Sequence, residues 1–416
     1  MRAREFFIIG MTVNFLACDV FADDAGLHDT QSSLTAQAGY WSQTRLQEDR
    51  FDIGAVALGW KGNTAYGAYQ NARIEAWLRS DNVAEKSVQL EVREAYWKLN
   101  TAAVDLRIGR QLIVWGKADG VNPTDNLSVR DYRLLTSDDN EQKSGVMTIS
   151  GAYYIGETRL QLLWLPEFRH HELPLSKTPA LNYREVLPNK EYAQWAARVE
   201  RAGGEMDWSL SYFDGYDKGP DLHPGQMTLS GMTIDLVHPR IRTLGADAAG
   251  TLGRWGWRVE GAYTRSTDSA GKDIFAKNPF FYAVAGVDRT MFDGLNANLQ
   301  YVYRYIFHYE DPLSAVLPLQ GLAKAQALAN NQFDQQQHGA TLRVHQAWWN
   351  DTLTAELSMM MWWQHKDYVF KPKMSYAWSD HLKTTLGADM YRGPQDSFLG
   401  NLRKLSLAYV ELQWAY

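Results

Sequence analysis

Near its C-terminal end the chain alternates: Ala408, Val410, Leu412, Trp414 and Tyr416 are small or apolar, while Tyr409, Glu411 and Gln413 between them lean polar. A period of two with one apolar side predicts a strand that shows one face to lipid and the other to water. The pattern recurs upstream. Leu295, Ala297, Leu299, Tyr301, Tyr303, Tyr305 and Phe307 oppose Asn296, Asn298, Gln300, Arg304 and His308, and Leu353, Ala355, Leu357, Met359, Met361 and Trp363 oppose Thr354, Glu356, Ser358 and Gln364. Strands are predicted at 33–43, 51–60, 70–79, 87–98, 103–115, 144–154, 157–166, 191–201, 206–214, 242–252, 255–266, 280–290, 295–308, 337–348, 352–364, 367–378, 381–391 and 403–416. Tight connections at Asn100–Ala102, Gly203-Gly204, Leu252–Arg254 and Trp349–Asp351 alternate with long ones, as periplasmic turns alternate with extracellular loops. The expected fold is all-β, a transmembrane antiparallel up-and-down barrel of about 18 strands, with 16 as the alternative, because boundaries read this way slip by a few residues. A secreted β-sandwich or propeller would also alternate, but strands of this length flanked by aromatics suit a membrane wall better.

The other end of the chain agrees. Arg2 and Arg4 precede an apolar run from Phe6 to Cys18, and Val20-Phe21-Ala22 supplies small residues where a signal peptidase reads, so residues 1–22 are expected to be a signal peptide and 23–416 one outer-membrane barrel. Phe15-Leu16-Ala17-Cys18 is a poor fit to the competing lipoprotein pattern. Cys18 is the single cysteine, so the processed chain offers no disulfide, thiolate nucleophile or cysteine metal site. Hydrophobic residues make up 45% of the 416, yet no long apolar run follows the leader, which excludes a helical membrane protein. A net charge of -6 argues against a nucleic-acid partner.

Function would then lie in the lumen. Alternation assigns inward Arg73, Glu75, Arg93, Arg107, Arg198, Glu200, Arg258, Glu260, Arg304, Arg343, Lys371 and Lys373 as candidate pore-lining residues, with Arg79, Glu91, Asp105, Arg159, Asp247, Glu356, Lys383 and Asp389 on the same faces. Mixed signs predict a transverse field and weak net selectivity, or ion pairs that only keep the lumen wet and rigid. One stretch breaks the phase: Glu94 falls with Leu90, Val92 and Tyr96, and Arg110 with Leu106, Ile108, Leu112 and Val114. A lipid-facing arginine at mid-depth costs about 2–4 kcal/mol. The expectation is therefore a structural Glu94–Arg110 ion pair, or a bulge at Gly109 that turns Arg110 inward.

The same stretch carries a resemblance. Glu94-Ala95-Tyr96-Trp97, Ile108-Gly109-Arg110-Gln111, Trp115-Gly116-Lys117-Ala118-Asp119-Gly120, Asn122-Pro123-Thr124-Asp125 and Arg130-Asp131, with His238-Pro239-Arg240 and the strand pair across Gly253-Arg254-Trp255 further on, resemble an uncharacterised porin-like family of proteobacterial outer-membrane proteins. Alginate-export and phosphate-selective porins are weaker matches. The resemblance implies an outer-membrane barrel, in some members found beside inner-membrane exporters of the resistance-nodulation-division type.

Three loops call for weighing. Gly116–Lys143, rich in charge, is expected to fold into the pore as a constriction through Lys117, Asp119, Asp125, Arg130 and Asp131, against the alternative of a solvated extracellular loop. In Glu167–Lys190 the adjacent His170 and His171 lack metal-ligand spacing, so a surface loop is expected and no metal. Within Asp311–Gln336, Leu319–Asn330 is expected to form a short helix aligning Leu322, Ala325 and Leu328, as a plug or packed on the rim. Asp214, Asp217 and Asp221 miss the calcium-loop pattern, and no nucleophile–base set resembles an outer-membrane phospholipase or protease.

The function expected is a porin-like channel for passive passage of a small polar or charged solute, without enzymatic activity or cofactor. The alternative is a non-conducting or gated outer-membrane component of an export or assembly system working with an inner-membrane transporter. Expected partners are outer-membrane lipid and lipopolysaccharide, and the barrel-assembly machinery through the strand ending at Tyr416.

Overall fold

The structure, a computed structural model, describes residues 28–47, 49–82, 88–175, 181–188, 193–228 and 231–416. The predicted leader and Cys18 lie outside the described residues. Period-two segments become antiparallel strands, each hydrogen-bonded to its neighbours in sequence: β1 (His28–Gln43), β2 (Phe51–Tyr66), β3 (Gln70–Asp81), β4 (Gln89–Asn100), β5 (Val104–Gln111) and β6 (Val146–Ile155). There follow β7 (Thr158–Leu165), β8 (Gln194–Arg201), β9 (Met206–Tyr216), β10 (Arg240–Leu252), β11 (Trp255–Arg265) and β12 (Phe280–Thr290). The set ends with β13 (Asn296–Ile306), β14 (Gln336–Trp348), β15 (Leu353–Trp362), β16 (Asp367–Ala377), β17 (Leu382–Arg392) and β18 (Leu407–Ala415).

The 18-stranded sheet closes on itself, because β1 pairs with both β2 and β18 in the register Thr35↔Ala415. Tyr416 and Leu34 exchange backbone hydrogen bonds at 2.8 and 2.9 Å, so the terminal residue seals the seam. Closure leaves no edge of unpaired backbone groups, the condition for a sheet to sit in lipid. The short turns at 67–69, 101–103, 156–157 and 253–254 lie at one end and long segments at the other, which assigns the first end to the periplasm and the second to the exterior. Outward positions are exposed and apolar, among them Leu58, Leu162, Leu210, Leu244, Leu299 and Leu412, and aromatic residues such as Tyr66, Trp255, Trp348, Trp378 and Tyr416 ring the periplasmic rim. An exposed apolar belt between aromatic girdles fits only a bilayer. The chain is an outer-membrane barrel.

All of the predicted strands exist, with shifted bounds: β1 starts at His28 instead of 33, β2 runs on to Tyr66 instead of 60, β8 starts at Gln194 instead of 191, and two strands are cut short by more. β5 stops at Gln111 instead of 115, and β18 starts at Leu407 instead of 403, because residues 402–405 form a helical turn. Two small sheets were not foreseen: 181–186, 221–228 and 231–237 form one in the extracellular loops, and 129–130 pairs with 143–144 inside the loop that follows β5. Helix α1 (Gln320–Ala329) packs on the first of these sheets, burying Leu322 against Leu222, Ile234 and Leu236. From this sheet it reaches the inner wall, where Leu328 packs on the cluster of Ala118, Val284, Val302, Phe333 and Trp362.

The phase break at Glu94 has a different cause from the one expected. Glu75 pairs with Glu94 and Ala76 with Val92, so Arg93 is an extra residue and the bulge lies on β4, not at Gly109. Two consecutive side chains, Arg93 and Glu94, consequently point inward, and Glu94 pairs with Arg73 at 2.8 Å instead of with Arg110. Arg110 keeps its outward phase near the extracellular end of β5. There it donates to the Val92 carbonyl at 3.2 Å and meets Glu167 of the rim at 3.7 Å, so its charge never reaches the bilayer midplane.

Apolar packing inside the barrel concentrates in its extracellular half, where loops fold onto the inner wall. Trp115, Leu127 and Val129 pack on Leu163, Ala196, Phe213 and Ile241, and Ala118 packs with Val284, Val302, Phe333 and Trp362. This inner core fixes the long loop that follows β5.

Candidate functional site

Residues 112–145 leave β5 and descend into the lumen instead of extending into solvent. The turn inward starts where the Leu112 N–H donates to Glu94 Oε1 at 3.1 Å. Gln111 anchors the exit from the strand, its amide donating to the Thr148 carbonyl at 2.9 Å. Gly109, with φ +130°, lets the backbones of β4 and β5 approach so closely that a Cβ would lie 2.3 Å from the Ala95 carbonyl.

The first lobe, 115–125, is held by one carboxylate. Glu260 of β11 accepts from the N–H groups of Lys117 (2.9 Å), Ala118 (3.1 Å) and Thr124 (2.8 Å) and from the Thr124 hydroxyl (2.8 Å). Converging backbone N–H groups form an anion-binding concavity, filled here by the barrel wall itself. Gly116 makes this possible: its φ is +101°, and a Cβ would come within 2.6 Å of both Glu260 oxygens. Arg258 donates to the Lys117 carbonyl at 3.3 Å and pairs with Asp288. The tip then reaches across: Lys117 meets Asp207 at 3.3 Å, near the periplasmic end of β9, and Asp119 meets Arg343 at 3.2 Å. Arg343 in turn pairs with Glu356 (2.6 Å), which Lys373 approaches at 3.4 Å.

The second lobe, 134–143, is held by charged side chains on the opposite part of the wall. Glu141 pairs with Arg79 (3.2 Å) and accepts from Gln37 (2.7 Å), Asp139 pairs with Lys371 (2.9 Å), and Ser137 donates to Glu411 (2.5 Å). Arg93 donates to the carbonyls of Lys143 (2.9 Å) and Asn140 (3.0 Å) while pairing with Glu75. Arg45 joins Asp389 (3.1 Å) to the Thr136 carbonyl (3.3 Å). Burial raises the Asp139 pKa, but Lys371 and Arg45 outweigh it and hold this carboxyl well below its ordinary range.

All twelve residues read as pore-lining sit on inward faces. Most are neutralised there. Besides the pairs above, Arg198 is shared by Asp247 (3.3 Å) and Glu200 (3.1 Å), and Arg304 is buried with its guanidinium 4.0 Å from the centre of the Phe280 ring. Arg107, like Arg304, makes no ion pair among the described residues; it lies 6.0 Å from the Tyr96 ring and stands opposite Lys98 in the β4–β5 register. Of the loop residues, Lys117 and Asp119 reach the wall, but Asp125, Arg130 and Asp131 do not. Asp125 accepts from Ser128 within its own loop, Arg130 donates its N–H to His171 Nδ1 (3.0 Å), and Asp131 pairs with Arg133 (3.0 Å). Their contacts shape the loop and its junction with 166–193. Burial pushes the His171 pKa from 6.5 down to about 3, which keeps its Nδ1 free to accept. Asp214, Asp217 and Asp221 are separately engaged, by Arg240, Lys277 and Gln326.

Sequence reading missed Gln37, Arg45 and Gly116 as site residues. Gly116 was quoted in the porin-like motif, and a glycine following a tryptophan at a strand exit was the available signal. Gln37 and Arg45 gave none, since their partners lie far away in sequence.

A closed barrel with an apolar exterior, a charged lumen and a loop folded inside is an outer-membrane barrel of porin-like fold. No protein-family model matches the chain, and no curated protein matches it by sequence. Solved structures do. Pseudomonas aeruginosa OpdK with vanillate is similar at a TM-score of 0.57 with 12% identity, over 93% of this chain and 98% of that one. Acinetobacter baumannii OccAB3 gives 0.56 and 11%, over 93% and 99%, and P. aeruginosa OccD3 (OpdP) 0.53 and 11%, over 94% and 92%. At this identity the likeness is one of fold.

Proposed function

We propose that the protein is an outer-membrane channel through which a small polar or charged solute passes by diffusion, with the loop 112–145 as its constriction and anions favoured over cations. The observation that carries this reading is the loop itself, pinned inside the lumen by Glu260 on one wall and by Arg79, Arg93 and Lys371 on the other. A pinned loop narrows the lumen without depending on a partner, and its margins carry side chains of both signs. The preference for anions rests on Lys98 and Arg107, cross-strand neighbours on the inward face near the periplasmic end, neither of which forms an ion pair among the described residues. Vanillate, held by OpdK, is a small aromatic carboxylate of the size and charge we assign. No catalytic step is part of the reading.

Planar-bilayer recording of the refolded protein in asymmetric salt tests it. Steady openings with a reversal potential displaced toward the anion equilibrium potential are expected. Persistent silence from a folded, heat-modifiable barrel would favour the non-conducting component of an export or assembly system instead.

A further inference from the structure

His170, Glu185 and His238 come from three separate segments and meet at the extracellular rim. The parallel pairing of strands 181–186 and 231–237 sets Glu185 opposite Leu236, two residues before His238. Phe168 packs against both imidazoles, at 6.4 Å from His170 and 4.9 Å from His238, and the two rings stack at 5.3 Å. The ligand atoms of the three side chains lie within 4.8 Å of one another, and His238 Nε2 is 3.1 Å from Glu185 Oε2.

The hydrogen bonds define which nitrogens are available. His238 Nδ1 lies 3.0 Å from the Asp217 carbonyl and His170 Nδ1 lies 2.9 Å from the His171 carbonyl. A carbonyl oxygen only accepts, so both Nδ1 atoms carry the proton, and in each neutral ring the Nε2 lone pair is left free. That arrangement, a backbone carbonyl orienting the ring through its far nitrogen, is how proteins prepare histidine to bind a metal. One ligand atom from each imidazole and one carboxylate oxygen lie within 4.8 Å of one another, a cluster that a cation between them would draw together. A single proton on His238 would satisfy Glu185 but leave His170 unused.

We propose that His170, Glu185 and His238 bind a divalent transition-metal ion, zinc for preference, which clasps the β7–β8 loop to the β9–β10 loop. Two imidazoles and one carboxylate form a donor set that zinc accepts with a water in the fourth position, and it is too nitrogen-rich for calcium or magnesium. Ligand bonds of about 2.0–2.2 Å set neighbouring donors a little over 3 Å apart in a tetrahedron. The His238–Glu185 pair already meets this spacing, and rotation of the half-exposed His170 completes it. The backbone is braced for the load: the His171 N–H donates to the Lys218 carbonyl (2.8 Å) and the Asp217 N–H to the Pro239 carbonyl (2.9 Å). The inference is independent of whether the barrel conducts.

Titration calorimetry of the refolded full-length barrel in detergent, with zinc chloride and separately with magnesium chloride, tests it. One zinc ion per chain is expected, no magnesium, and a loss of zinc affinity of about 10-fold or more in His170→Gln and in Glu185→Gln. Both substituted residues are accessible, so these variants should keep the heat-modifiable gel shift of the folded barrel, whereas His238→Gln alters a buried ring. No saturable zinc binding by the parent protein, or full affinity retained in both folded variants, would overturn the site.

Discussion

The two lobes of the internal loop solve one problem by different means. The lobe at 115–125 hangs mainly on a single buried carboxylate that receives three backbone N–H groups and one hydroxyl, with ion pairs at its tip, while the lobe at 134–143 hangs on a spread of charged side chains, through ion pairs and bonds to loop carbonyls. Hydrogen bonds between backbone and a buried charge depend on geometry and are little screened. Of the second lobe's ion pairs, Lys371–Asp139 faces water and weakens with salt, whereas Arg79–Glu141 is nearly buried and is screened less. In the constriction proposed above, the first lobe is therefore the fixed side and the second the adjustable side. A solute would pass between a rigid jaw and one that ionic strength can loosen.

The sharpest way to break this contrast is Glu260→Ala. It strands four donors at once, each hydrogen bond to a charged acceptor contributing about 1.5–3 kcal/mol. The first lobe should detach, so single-channel conductance should rise and become noisy. Gly116→Ala should act in the same direction, since the new Cβ meets the Glu260 oxygens. Next in size, Asp139→Asn should loosen only the second lobe at its exposed pair with Lys371, and parent and variant should converge in open-channel noise as salt rises from 0.1 to 1 M, where the Debye length falls from about 10 to about 3 Å. The Glu260→Ala phenotype should persist across that range, and convergence of all three proteins would erase the distinction between the lobes.

Selectivity should respond more modestly. Arg107→Gln removes a cation with no acidic partner and should move the reversal potential toward the cation side, whereas Arg93→Gln should change noise before selectivity, because Arg93 holds the loop. Acid should act last. The His171 pKa is depressed, so its contribution to the loop junction is complete above pH 6.5 and is lost as the pH falls toward 3. The Asp139 carboxyl is held below its ordinary value and keeps its charge down through the ordinary carboxylate range. Recordings between pH 7 and 4 should thus show loosening at the junction with 166–193 while the second lobe stays seated.

The barrel was legible because lipid on one side and water on the other impose alternation that survives in the sequence, even in β13 and β15. The charges were legible as inward for the same reason. Their partners were not, because pairs such as Arg79–Glu141 or Arg343–Asp119 depend on where a loop lands, and no local pattern encodes that. The bulge at Arg93 illustrates the limit. One inserted residue reverses the phase of everything after it, so Tyr96 read as lipid-facing in fact lies inward beside Arg107. The residues that carried the family resemblance, from Glu94 through Gly109 and Gln111 to Gly116, are those that turn the chain from the wall into the lumen. The small rim sheet went unread because its strands are short and interrupted by Pro224 and Gly225.

The central claim is that the loop tip borders the path of the solute. Cys18 is the chain's one cysteine, so in residues 23–416 alone Asp119→Cys supplies a single reactive thiol at the tip. The measurement is single-channel current through this variant before and after a charged, water-soluble thiosulfonate reagent. The account predicts a discrete fall in current upon modification; complete modification, verified by mass, with no change in current would contradict it.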